Sequence, residues 1–144
     1  MSKINKKEYT LGFLFSEDRQ TVALIKKSKP DWQKGNLNGI GGKCEETDYD
    51  QFTTMRREFK EETGVEIEES QWSHFATIEG ALEWTVYVFK AFSDQIFNLK
   101  TTTEEEVTII KVSSLENYKH IPNLSWLIPM ALDQDDIYSE INYK

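Results

Sequence analysis

Three glutamates, Glu58, Glu61 and Glu62, stand at i, i+3 and i+4 in one short run. A helix turns about 100° per residue, so the three carboxylates fall on a single face. Like charges at these spacings each cost an isolated helix roughly 0.2–0.5 kcal/mol, so the cluster makes most physical sense where a cation neutralises it. Ahead of it lies Gly39-Ile40-Gly41-Gly42-Lys43, with three glycines in four positions. Missing side chains there let the backbone turn tightly or approach another group closely. Alone, such a cluster reads as a turn at a strand end; just before an acidic helix, it reads as part of a site.

The elements that must position these residues are legible around them. The pattern predicts a helix that begins near Asp48, with Asp48 as N-cap and Gln51 at N3, and ends at Gly64. Phe52, Met55 and Phe59 form an apolar stripe that seats it, with Glu61 nearly opposite and Glu58 and Glu62 beside the stripe. Upstream, Tyr9 to Phe15 and Thr21 to Ile25 read as two strands joined by a polar turn. From Lys26 to Asn38 the chain reads as a loop, the most basic stretch of an acidic protein.

Downstream, Trp72–Ile78 and Leu82–Phe92 read as strands separated by a break at Glu79-Gly80, the second being the strongest strand signal in the chain. A polar loop, residues 101–106, leads to a strand over Val107–Val112, and a second helix runs from Leu124 to about Leu132. The acidic C-terminal stretch shows no clear element. Strands before and after one helix, closed by a second, predict mixed α/β (α+β) packing.

The 144 residues suit one domain, and 38% hydrophobic with 12% aromatic content describes a folded chain rather than a disordered one. A net charge of −8 argues against an extended nucleic-acid-binding surface. The single cysteine, Cys44, allows no internal disulfide, and no apolar run approaches membrane-spanning length. The expectation is a cytoplasmic protein without a membrane partner.

The segment from Gly41-Gly42-Lys43 to Val65 resembles the signature of the Nudix hydrolases, MutT-like members included: G-x5-E-x7-R-E-U-x-E-E-x-G-U, with U an apolar residue. Arg57, Glu58, Phe59, Glu61, Glu62, Gly64 and Val65 match its second half at every position. Its first half departs from the pattern. Counted forward from Gly42 the expected glutamate falls on Asp48, and counted back from Arg57 it falls on Tyr49, so the turn carries one extra residue.

The resemblance implies a mixed β-sheet sandwiched between helices, with the acidic helix following the glycine-rich loop. It also implies hydrolysis of a nucleoside diphosphate linked to another group, with Mg²⁺ or Mn²⁺. Glu58, Glu61 and Glu62 are then metal ligands, with the Gly41 carbonyl as a further oxygen. Arg57 orients the cluster by a charge-assisted hydrogen bond. Glu104, Glu105 and Glu106 are placed to supply a general base, Glu105 and Glu106 being favoured. The physics agrees: a pyrophosphate would be repelled by bare glutamates, whereas bridging metal neutralises it and can activate water at phosphorus.

The flanking segments resemble those of nucleotide-pool sanitising relatives. By that likeness Asn38 presents an amide to a base edge, Trp126 stacks on the base, and Lys43 and Asn123 complete the substrate-binding set. An Asn123-Leu124 pair stands where oxidised-purine enzymes of this kind carry two acids. The best single substrate is a (deoxy)nucleoside triphosphate or its oxidised form, with ADP-ribose, dinucleoside polyphosphates and capped RNA as alternatives. A homodimer is left open.

Trp32, Trp72 and Trp84 read mainly as packing residues, His74 and His120 as structural or exposed, and Cys44 as a small apolar group. Two other classes compete. An isomerase of allylic diphosphates would need Cys44 or an acid as proton donor in an apolar pocket, and a regulator would bind a nucleotide without hydrolysing it.

Overall fold

The computed structural model describes residues 6–144. Strand β1 (Lys7–Phe15) begins with exposed residues and ends with four buried ones, because its second half is covered on both faces. Phe13 and Phe15 point into one apolar cluster and Leu14 into the other. This is the period of two expected of a central strand. Strand β2 (Thr21–Lys26) turns back antiparallel, pairing Leu14 with Ala23 and Phe15 with Val22.

Beyond this short pairing β1 and β2 separate, and strand β3 (Leu37–Asn38) takes the place beside Ile25 and Lys26. The glycine-rich loop follows along β1, held by reciprocal hydrogen bonds between Gly12 and Ile40 and by the Thr10 N–H to the Gly42 carbonyl, 2.8 Å. This splay opens the cleft described below.

Helix α1 (Gln51–Thr63) covers one face of the sheet. Met55 and Phe59 are fully buried among Leu14, Ile25, Ile67, Trp72 and Phe89, and Phe52 packs beside them with its ring edge-on to Phe89. The expected stripe is therefore the seat of the helix. Gly64 ends it in the left-handed region, φ 77°, its N–H bonded to the Lys60 carbonyl. The N-terminus differs from expectation. Asp50, not Asp48, is the N-cap, accepting from the Thr53 N–H at 3.0 Å. Asp48 is engaged elsewhere, by Arg57.

Strands β4 (Ser73–Gly80) and β5 (Trp84–Phe92) form an antiparallel hairpin, and β5 runs parallel to β1 over the whole of both strands. The break comes after Gly80 rather than at Glu79-Gly80, since both residues pair with β5. Strand β6 (Glu106–Lys111) lies antiparallel along the far side of β2. Helix α2 (Leu124–Ala131) covers the second face of the sheet, with Leu124, Leu127, Ile128 and Ala131 buried against Phe13, Phe15 and Phe75. The acidic C-terminal stretch forms strand β7 (Ser139–Tyr143), parallel to β4 at the sheet edge. Among the described residues the strands form a mixed seven-stranded sheet between α1 and α2, and the expected sandwich of a mixed sheet between helices is found. Among the described residues no helix is long and apolar enough to cross a membrane.

Candidate active site

The glycine-rich loop and α1 meet face to face. A Cβ on Gly42 would stand 2.4 Å from the Glu58 carboxylate, and one on Gly41 would strike the Thr10 carbonyl at 2.0 Å. Both positions need glycine because the loop passes between β1 and the helix with no room for a side chain.

Arg57 is the hub of this contact. Its Nε and Nη2 donate to the two oxygens of Asp48 at 2.9 and 2.7 Å, a bidentate pair. Nη1 donates to Glu58 at 2.9 Å and to Glu61 at 3.4 Å, and Nη2 also reaches the Lys43 carbonyl at 3.2 Å. Asp48 accepts further from the Glu45 N–H and the Thr54 hydroxyl. The Arg57 guanidinium and the bonds from Glu45 and Thr54 hold its carboxyl far below the usual range, against the effect of burial.

Of the two positions counted from the signature, Asp48 is the one that supports Arg57. Tyr49 is 91% exposed, so the extra residue of the turn is accommodated on the solvent side without disturbing that pair. An Asp48→Asn protein is expected to lose about 2–3 kcal/mol at pH 7, the range of hydrogen bonds to charged groups. Because the folded-state value lies below the ordinary 3.8, the wild-type contribution is complete above that pH and fades as the pH falls through and below it. Urea unfolding at pH 7 and pH 3 should therefore show a large difference between wild type and variant at the higher pH and a smaller one at the lower.

The three glutamates share the helix face, but their carboxylates are held apart. Glu58 and Glu61 lean on Arg57, while Glu62 accepts from the Thr103 hydroxyl at 2.8 Å. Burial pushes the Glu58 and Glu62 carboxyls up, with Arg57 opposing the shift at Glu58 and Thr103 opposing it at Glu62. Among the described residues no three His, Cys, Asp or Glu side chains form a ready cluster. The donors nonetheless suit a hard divalent cation: Mg²⁺ takes one or two carboxylates together with waters and phosphate oxygens, and needs no closed protein cage.

The loop before β6 is laced to the end of α1. The Thr102 hydroxyl donates to the Glu61 carbonyl, and the Lys100 N–H donates to the Thr63 carbonyl. This lacing separates the three candidate acids. Glu105 is turned inward, 7% exposed, and accepts from Lys27 Nζ at 3.1 Å and the Ser28 N–H at 2.7 Å. Burial pushes its carboxyl up, but the Ser28 N–H and the Lys27 ammonium outweigh burial and hold it below its ordinary value. Its charge in turn raises Glu62. Glu104 is exposed and pairs with Lys29; Glu106 is exposed on β6, in register with Lys26.

A cleft of about 430 Å³ opens beside this assembly where β1 and β2 splay. Gly41, Gly42 and Lys27 line it together with Asn38 and Asn123, and Tyr9, Leu11, Trp32 and Trp84 supply aromatic and apolar wall. Asn38 donates to Gln33 Oε1 at 3.2 Å and accepts from the Gly39 N–H at 2.8 Å. Asn123 sits at the N-cap of α2 without capping it, and among the described residues its Oδ1 has no partner.

Two expected substrate residues lie elsewhere. Lys43 does not line the cleft; its carbonyl accepts from Arg57. Trp126, half-buried on α2, packs against the core and does not line the cleft. Trp72 is a core residue, edge-on to Phe59, whereas Trp32 and Trp84 line the cleft, contrary to a pure packing role. His74 sits among Tyr87, Phe89 and Tyr138, with burial lowering its pKa, and His120 bonds the Tyr118 carbonyl; neither lines the cleft. Cys44 lies outside it too, its thiol pushed up by burial. Lys27 and Ser28 were not legible as site residues, because only the fold brings them to Glu105.

An acidic helix face is thus braced by arginine against a glycine loop, and that loop, through Gly41 and Gly42, is the part of the assembly that lines the cleft; Arg57, Glu58, Glu61 and Glu62 do not line it. The NUDIX domain model matches residues 6–131, and the chain belongs to the Nudix family. Nudix hydrolases act on nucleoside diphosphate derivatives and generally use divalent metal ions.

Solved structures share the fold. The MutT of a study of Aliivibrio salmonicida and Vibrio cholerae is 18% identical, covering 89% of this chain and 98% of that one, with a TM-score of 0.73. The NUDIX domain of Shewanella oneidensis NrtR complexed with ADP ribose is 18% identical over 88% of this chain and 86% of that one, TM-score 0.74. NrtR complexed with a 27mer DNA is 18% identical over 85% of this chain and 59% of that one, TM-score 0.67. The DNA complex leaves the expected lack of a nucleic-acid partner unsupported by likeness. No curated protein matches the chain.

Proposed function

We propose that the chain acts as one domain that hydrolyses a (deoxy)nucleoside triphosphate, or its oxidised form, at a phosphoanhydride bond. The observation that carries this reading is the cleft, which runs from the Gly41-Gly42 loop to the amides of Asn38 and Asn123. Its volume falls within the roughly 300–1,000 Å³ usual for small-molecule sites.

Glu58, Glu61, Glu62 and the Gly41 carbonyl would hold Mg²⁺ or Mn²⁺. The ion would supply neutralisation of phosphate charge and a lowered pKa of bound water. Arg57 fixes Glu58 and Glu61, and Asp48 fixes Arg57. Glu105 is the inward candidate for general base and acts on Glu62 through its charge; to take a proton it would have to release Lys27 or Ser28, which hold its two oxygens, whereas Glu106 faces solvent. The Asn38 and Asn123 amides offer a donor and an acceptor to a base edge.

ADP-ribose is the second reading, favoured by the ligand of the NrtR domain. The position of Cys44, outside the cleft, counts against an isomerase that would use it as proton donor. A screen with nucleoside triphosphates, oxidised analogues, ADP-ribose, dinucleoside polyphosphates and capped RNA, with products identified, tests the proposal. Metal-dependent release of a nucleoside monophosphate from a triphosphate is the expected result; turnover confined to ADP-ribose would favour the second reading, and binding without any turnover would favour a regulator.

A further inference from the structure

Trp32 lines the cleft beside Gln33 while leaving 69% of its surface exposed. A lone exposed apolar side chain is ordinary. What distinguishes Trp32 is the segment that presents it. From Lys27 to Asn36 the loop is closed by its own backbone: the Lys27 N–H bonds the Asn36 carbonyl at 2.9 Å, and the Gly35 N–H returns to the Lys27 carbonyl at 2.8 Å. Within it the Gln33 N–H reaches the Pro30 carbonyl, and the Asn36 N–H the Gln33 carbonyl, both at 2.9 Å. The side chain of Gln33 then ties the loop to Asn38 on β3.

The indole is thus carried at the cleft mouth by a hydrogen-bonded ring of backbone rather than by a free arm. Trp126 is half-buried against the core and lies outside the cleft. Trp84 lines the same cleft, but its ring is engaged by Tyr143 at 5.9 Å between centroids. Trp32 is the cleft aromatic with most surface left for a ligand.

We propose that Trp32 is the platform on which the substrate's nucleobase stacks, an inference that rests on the nucleotide reading above. Every base has a π face, so such a platform selects for the presence of a planar base and not for its identity. It therefore favours nucleotides over diphosphates that lack a base, and leaves the choice among bases to the amides.

The test compares wild type, Trp32→Ala and Trp32→Phe, using the best nucleotide from the screen as substrate and inorganic tripolyphosphate, which has phosphates and no base, as competitive inhibitor. Trp32→Ala should raise KM about 10- to 100-fold, the range that stacking on one aromatic supplies, with kcat within about two-fold. Trp32→Phe should recover most of the loss, and the inhibition constant of tripolyphosphate should stay the same in all three. A KM within two-fold of wild type for Trp32→Ala would overturn the proposal. So would an equal weakening of nucleotide and tripolyphosphate, which would mark a merely structural role. If wild type hydrolyses no nucleotide at all, the nucleotide reading itself falls and carries this inference with it.

Discussion

Glu62→Gln is expected to lower kcat/KM by about 100- to 1,000-fold, the usual effect of removing one group that stabilises developing charge. The change keeps the shape of the side chain and leaves an oxygen to accept from Thr103, so thermal stability should change little. What it removes is the negative charge at a position between Glu105 and the other glutamates of the helix. A glutamate that only decorated a solvated face would tolerate the change. Steady-state kinetics at saturating Mg²⁺, with melting temperatures measured in parallel, separate the two cases.

The second large effect concerns the helix that carries the glutamates. Phe59 lies between Glu58 and Glu61 in sequence and is fully buried, its ring 5.3 Å from that of Trp72. Phe59→Ala should destabilise the fold by about 3–5 kcal/mol, combining lost transfer energy with a cavity that the surrounding strands cannot fill. For a chain of this size that corresponds to a fall in Tm of roughly 10–20 °C. Phe52→Ala, at a partly buried position two turns nearer the N-terminus, should cost clearly less. Denaturant unfolding of the two variants checks the order; equal losses would mean that the helix is not seated through Phe59.

These two residues also show why part of the molecule was legible before its structure. Helix α1 announces itself because its apolar stripe, its acids and its terminal Gly64 are all local patterns with a helical period. The strands around it follow from runs of β-branched and aromatic residues, and the acids at 58, 61 and 62 from spacing alone. The parts that could not be read depend on contacts between distant segments.

Asp48 has the chemistry of an N-cap, and only the fold shows that Arg57 claims it, leaving capping to Asp50. Glu105 and Glu106 are equivalent in sequence, yet the lacing of their loop to α1 turns one inward and leaves the other in β6 facing solvent. Strand β7 lacks a buried apolar face, since its residues are exposed or half-exposed, and it exists by pairing with β4. Trp32 carries no local sign of function because its role depends on a cleft made by the separation of β1 and β2.

We propose that the acidic face of α1, set against the glycine loop, takes a divalent cation. Titration of Mn²⁺ into the protein, with the free ion followed by electron paramagnetic resonance, tests it without assuming any substrate. Saturable uptake is expected for wild type and none at the same site in a protein carrying Glu58→Gln, Glu61→Gln and Glu62→Gln, both folded by circular dichroism. Equal uptake by the two proteins would contradict it.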